Sequence, residues 1–132
     1  MWVTGGGHEK DANGKKNAWS LSGNAMSDAA GGLIGNFQIR DFANKTSYHL
    51  DTITSLTFSG PETGSPYAPN NSAVIVASGY DKDGDPISAT ITIVDVQEPG
   101  KGNDSMEWAG TGGLPSLGTT IIDGGNFQIH AQ

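Results

Sequence analysis

The stretch "AVIVASGYDKDGDPISATITIVDV", Ala73 to Val96, decides the fold. Two runs rich in Val, Ile, Thr and Ala flank a polar turn with Asp83-Gly84 at its tip. Branched side chains suit a pleated, half-buried surface, and Asp-Gly supplies the positive φ of a tight turn. Strand, turn and strand read as an antiparallel hairpin. Val74 and Val76 are expected inward on one arm, Ile91 and Ile93 on the other.

Working outward, the same period of two recurs. "LIGNFQIRDF", 33–42, places Phe37 and Ile39 inward. "AWSLSGNAM", 18–26, alternates around Trp19 and Leu21. "YHLDTITSLTFSG", 48–60, sets Leu56 and Phe58 on one face and Ile53 on the other. Trp2 to Thr4 forms a short strand that Gly5-Gly6-Gly7 is expected to stop, and Asn13-Gly14 marks a further hairpin. "SMEWAG", 105–110, is a short strand, and "TTIIDGGNFQIHA" reads as one last strand, kinked at Gly124-Gly125. No window carries a helical period. Residues 60–72, with Pro61, Pro66 and Pro69, form a long loop, since proline cannot serve a central strand.

These elements predict one all-β domain over residues 1–132, a single antiparallel sandwich or closed barrel of seven to nine short strands. The length suits one domain. Twenty glycines and a charged fraction of 16% fit short strands joined by tight turns. The predicted core is Val3, Leu21, Phe37, Ile39, Leu56, Phe58, Val74, Val76, Ile91, Ile93, Phe127 and Ile129. The phrase Gly-Asn-Phe-Gln-Ile occurs twice, from Gly35 and from Gly125. Its flanks do not match, so it is one strand phrase used twice and not a tandem repeat. Both copies are expected in one core.

Charge narrows the partners. A net charge of −7, with seven scattered Lys and Arg, argues against nucleic acid and anionic membranes. The absence of cysteine excludes disulfides and thiolate chemistry. No apolar run is long enough to span a bilayer, so membrane insertion is not expected. "MWVTGGGHEK" lacks the basic start and apolar run of a signal peptide. The chain is thus expected to be cytoplasmic or a module from a longer exported protein.

Several constellations carry candidate chemistry. Asp81, Asp83 and Asp85 alternate in the hairpin turn, and calcium takes carboxylate oxygens in such turns. Pro86 and Thr92 stand where an EF-hand needs Gly and Glu, so this is no EF-hand. Asp95, Glu98 and Asp104 in "VDVQEPGKGND" form a second candidate cation set; the alternative is a turn whose aspartates accept backbone N–H groups. Tyr67, Tyr80 and Trp108 are candidate aromatic platforms for a sugar. Trp2 and Trp19 are expected in the core. Tyr48, His49 and Arg40 suggest proton abstraction from an acidic polysaccharide. His8 and His130 would approach each other if the chain ends meet, but no H-x-H spacing supports zinc.

The phrases "WVTGGG", "GNFQIRDF" with Tyr48-His49, "TITIVDVQEPGKGND" and "GGNFQIH" together resemble a Gly-rich β domain of exported bacterial proteins, often found after a choice-of-anchor region. The likeness runs from Trp2 to His130. It implies an extracellular or cell-surface accessory module and carries no catalytic residues over. The expected function is therefore a non-catalytic module of a bacterial secreted or surface protein, adhesive, glycan-binding or spacing, with calcium as a stabilising cofactor. Its partners would be glycans or other surface and matrix components. The alternatives are a small polysaccharide-active enzyme using Tyr48, His49 and Arg40, and a subunit self-assembling through strand edges.

Overall fold

The computed structural model describes residues 2–10, 13–14, 16–59, 71–95 and 104–130. They form one antiparallel sheet of nine strands: β1 (Trp2–Lys10), β2 (Asn17–Ser27), β3 (Leu33–Asp41), β4 (Thr46–Ser59), β5 (Ser72–Tyr80), β6 (Pro86–Val94), β7 (Ser105–Thr111), β8 (Leu117–Ile121) and β9 (Gly124–His130). The strand order is β8-β7-β6-β5-β4-β3-β2-β1-β9. Eight strands meander, and the ninth returns to the free side of β1. The sheet curls into a half-barrel around one core. Among the described residues no helix is long and apolar enough to cross a membrane.

The opening hairpin is present, with Ile75 opposite Ile91 and Tyr80 opposite Pro86. Its first arm faces the other way from the expectation. Ala73, Ile75 and Ala77 are buried, while Val74 and Val76 are half-buried on the outer side. Every residue from Ala73 to Ala77 is apolar, so periodicity alone does not choose the face. Packing chooses it: Phe58 and Ile93 flank Ala73, and small against large fills the space.

β4 departs from simple alternation. It carries an extra residue against β5 between His49 and Thr52, and another between Ile53 and Ser55. Each bulge shifts the phase by one residue. Ile53 therefore joins Leu56 and Phe58 on the inner side, opposite Ala77, Ile75 and Ala73. Leu56 and Phe58, expected to be buried, are only partly so.

Gly5-Gly6-Gly7 does not stop β1. The strand runs on to Lys10, with Gly5 directly opposite Gly23 and Gly7 opposite Leu21. Gly5 and Gly23 have φ of 136° and 152°, a region that L side chains rarely enter. Opposite Gly5 on the far side lies Phe127, and opposite Gly23 lies Phe37. A Cβ on Gly23 would come within 2.8 Å of the Phe37 ring. The repeated phrase thus forms equivalent strands, β9 and β3, on either side of the β1–β2 hairpin. The Phe37 ring lies against Gly23 and the Phe127 ring against Gly7, and both rings are buried.

The last strand is two. At Ile122-Asp123 the chain leaves β7 and crosses to β1. Ile122 is buried and its N–H donates to the Asp104 carbonyl; the Asp123 N–H donates to the His8 carbonyl. β8 and β9 are therefore opposite edges of the sheet. The seam beside β9 is bridged by side chains. Asp104 Oδ2 accepts the Phe127 N–H at 3.1 Å, and Asp95 Oδ2 accepts the Ile129 N–H at 3.0 Å. Both carboxylates are buried. They meet edge amides that a further strand would otherwise bind, and such charge-assisted bonds are the strong ones.

Candidate functional site

Asp95 and Asp104, the candidates for a cation set with Glu98, each commit one carboxylate oxygen to the seam. Their oxygens are directed at β9 amides inside the seam, the alternative foreseen for this turn. Glu98 lies outside the described residues, as do Tyr67 and nearly all of the Pro-rich loop.

The expectation for Trp108 is corrected. It is 1% exposed, its ring packs edge-on against Trp19 at 5.6 Å, and its Nε1–H donates to the Pro115 carbonyl at 2.9 Å. No face remains for a sugar. Trp19 packs partly buried on the core. Trp2 is half-buried and stacks on His130 with centroids 4.1 Å apart, on the opposite side of β1 from buried Val3. His8 pairs with Gly124, at the other end of β1 from the Trp2–His130 pair, so the expected approach of His8 and His130 does not occur.

Tyr48, His49 and Arg40 do not converge. Tyr48 faces the core, whereas its neighbour His49 is exposed on the outer side. Burial pushes the Tyr48 phenol up from its ordinary value, and the carboxylates of Asp41 and Asp81 push the same way. A proton held that firmly is the wrong starting point for a base at neutral pH. Arg40 Nη1 donates to Ser47 Oγ at 2.7 Å. The enzyme constellation is thus split across the two faces of the sheet.

The fold does bring together two residues from separate expectations. His49 lies directly opposite Tyr80 on the outer face of β4 and β5. Tyr80 is 55% exposed. Gln38 on β3 and Pro86 on β6 extend this row, and all four are exposed. The first β4 bulge follows His49 and presents Asp51 and Thr52 on the surface. Gly79 permits the bulge, because a Cβ there would run into the His49 carbonyl. Two shallow hollows flank the resulting ridge. One, of about 150 Å³, is lined by Asp51, Thr52, Ser78, Gly79, Tyr80, Pro86 and Ile87. The other, of about 140 Å³, is lined by Asn36, Phe37, His49, Leu50 and Asp51. An open aromatic ring beside imidazole, carboxylate and amide groups can stack on a flat ring and bond its hydroxyls. Asp51, Thr52 and Gln38 escaped sequence reading because the bulge that groups them leaves no mark on period two.

The acidic turn adjoins Tyr80. Oxygens of Asp81, Asp83 and Asp85 lie within 4.8 Å of one another. Asp81 Oδ1 already accepts the Asp83 and Asp85 N–H groups, each at 2.9 Å. Gly84 has φ of 82°, as an Asp-Gly turn requires. The turn is therefore closed by its own first carboxylate, and Asp83 and Asp85 are the exposed pair.

Comparison with family models, with curated proteins and with solved structures gives no match for this chain.

Proposed function

We propose that this chain is a non-catalytic carbohydrate-binding module of a bacterial secreted or surface protein. The observation that carries this reading is the cross-strand pair of exposed Tyr80 and His49, beside the Asp51-Thr52 bulge. A pyranose ring stacks its apolar face on Tyr80, while His49, Asp51 and Thr52 bond its hydroxyls. The hollows are shallow, so the surface suits a sugar within a chain more than an enclosed ligand. The separation of Tyr48 from His49 and Arg40 favours binding over catalysis. The likeness of the sequence motifs to exported β domains supports the extracellular setting. Calcium at Asp83 and Asp85 is the stabilising cofactor in this reading.

A glycan array tests it. Binding to at least one oligosaccharide is expected, lost in Tyr80→Ala and weakened in His49→Ala, with the melting temperature of both variants unchanged. Binding that survives Tyr80→Ala would move the site elsewhere.

A further inference from the structure

Lys10 pairs with Asn17 and Trp19 with Asp41, which sets the end of β1, the start of β2 and the β3–β4 turn at one end of the sheet. Between them lies a cleft of about 640 Å³ lined by Lys16, Asn17, Ala18, Phe42, Ala43 and Lys45. That volume falls within the range of small-molecule sites. Its walls are mainly apolar.

The β3–β4 wall of the cleft is held in shape before any ligand arrives. Asp41 Oδ1 accepts the Asn44 N–H at 3.2 Å, and Asp41 Oδ2 accepts Asn44 Nδ2–H at 2.7 Å. Thr46 Oγ1 donates to the Asn44 carbonyl at 3.0 Å. Lys45 sits at φ 52°, held by this turn. The Arg40 guanidinium lies 5.5 Å from the Phe42 ring centroid and is itself tied to Ser47. A preorganised wall spares a ligand the cost of ordering it.

The charge is unusual for this chain. Its net charge is −7, yet two of its seven cationic side chains line one cleft. Lys10 and Arg40 stand at the same end of the sheet. Among the described residues neither Lys16 nor Lys45 has a carboxylate partner. Two lysines without a carboxylate partner among the described residues, lining one cleft with an aromatic wall, define a complementary ligand: an anion at one end and hydrocarbon at the other.

We propose that this cleft binds a small carboxylate bearing an apolar ring, with the ring against Phe42, Ala18 and Ala43 and the carboxylate met by Lys16 and Lys45. It is a second site, separate from the Tyr80 face.

The test is an amide chemical-shift titration with cyclohexanecarboxylate, set against acetate and cyclohexylmethanol. Cyclohexanecarboxylate should shift the amides of Ala18, Ala43 and Lys45. Acetate lacks the ring and cyclohexylmethanol lacks the charge, so each should bind at least about tenfold more weakly. Lys16→Gln and Lys45→Asn should each weaken binding about tenfold, and asparagine tolerates the left-handed position. Tyr80→Ala should leave this binding unchanged. Equal binding of acetate or of the alcohol, or no shifts in the wild type, would overturn the proposal whatever the variants do. So would concentration-dependent dimerisation abolished by Asp83→Lys, which would show that the acidic turn of a second copy fills the cleft.

Discussion

The Asp104 carboxylate accepts the Phe127 amide 3.1 Å away, and so stands where a tenth strand would otherwise bind β9. Asp95 does the same two residues along, at Ile129. Antiparallel barrels avoid free edges by closing a ladder. Here the closure on this side is made by two buried side chains. β9 is accordingly a poor template for strand-edge self-assembly, while β8 pairs, among the described residues, with β7 alone.

Asp104→Ala should clearly destabilise the chain. It leaves a buried N–H without its acceptor, at a cost of about 2 kcal/mol. Urea unfolding measures the loss. Hydrogen exchange localises it: the Phe127 and Ile129 amides should be protected in the wild type, and Phe127 should exchange much faster in the variant. Slow exchange at Phe127 in Asp104→Ala would remove the carboxylate from the closure.

The glycines divide into two classes, and substitution separates them. Gly23→Ala forces a side chain to φ 152° and into contact with Asn36 and Phe37, so it should cost more than about 2 kcal/mol. Gly84 has φ of 82° with open space around it, and Asn is tolerated in that region. Gly84→Asn should stay within about 0.5 kcal/mol of wild type. Melting temperatures of the pair check this, and equal losses would deny the Phe-over-Gly packing.

Much of the fold was legible in the sequence, for a physical reason. Strands with one buried face announce themselves, and Phe37, Ile39, Ile91, Ile93, Phe127 and Ile129 were all read inward correctly. β5 misled because it is apolar on both faces. β4 misled because bulges break period two without changing composition. Gly5 to Gly7 looked like a stop, since glycine in isolation signals a turn; only the partner rings across the ladder show it to be a bend. The candidate site was legible in pieces. Tyr80 and His49 were each singled out, but their pairing depends on the first β4 bulge and on Gly79. The lysine cleft was not legible at all, because Lys16 and Lys45 are distant in sequence and meet only through the β2–β3 register.

In the proposed reading calcium acts through the exposed aspartates of the β5–β6 turn. Asp81 is committed to two turn amides, so changing it would confound binding with folding. Asp83→Asn with Asp85→Asn is the cleaner variant. Millimolar calcium should raise the wild-type melting temperature, chelator should reverse the rise, and the double variant should show none. A wild type indifferent to calcium removes the ion from the functional reading.

Glu9 supplies the pH dependence. One of its carboxylate oxygens, Oε2, is buried and has no hydrogen-bond partner among the described residues. Burial raises its pKa above the ordinary 4.5, and the nearby Asp123 carboxylate raises it further. The folded chain therefore holds this proton to higher pH than the unfolded chain does. Between the unfolded and folded values the native state binds more protons, so stability falls as pH rises. The contribution is complete below 4.5 and is lost as pH climbs through the folded value. Glu9→Gln cannot ionise, and should match or exceed the wild-type melting temperature at neutral pH while losing that advantage below about pH 4.5. Melting both proteins between about pH 4 and about pH 8 measures the difference. A gap that is constant with pH would show that Glu9 ionises alike in the folded and unfolded chains.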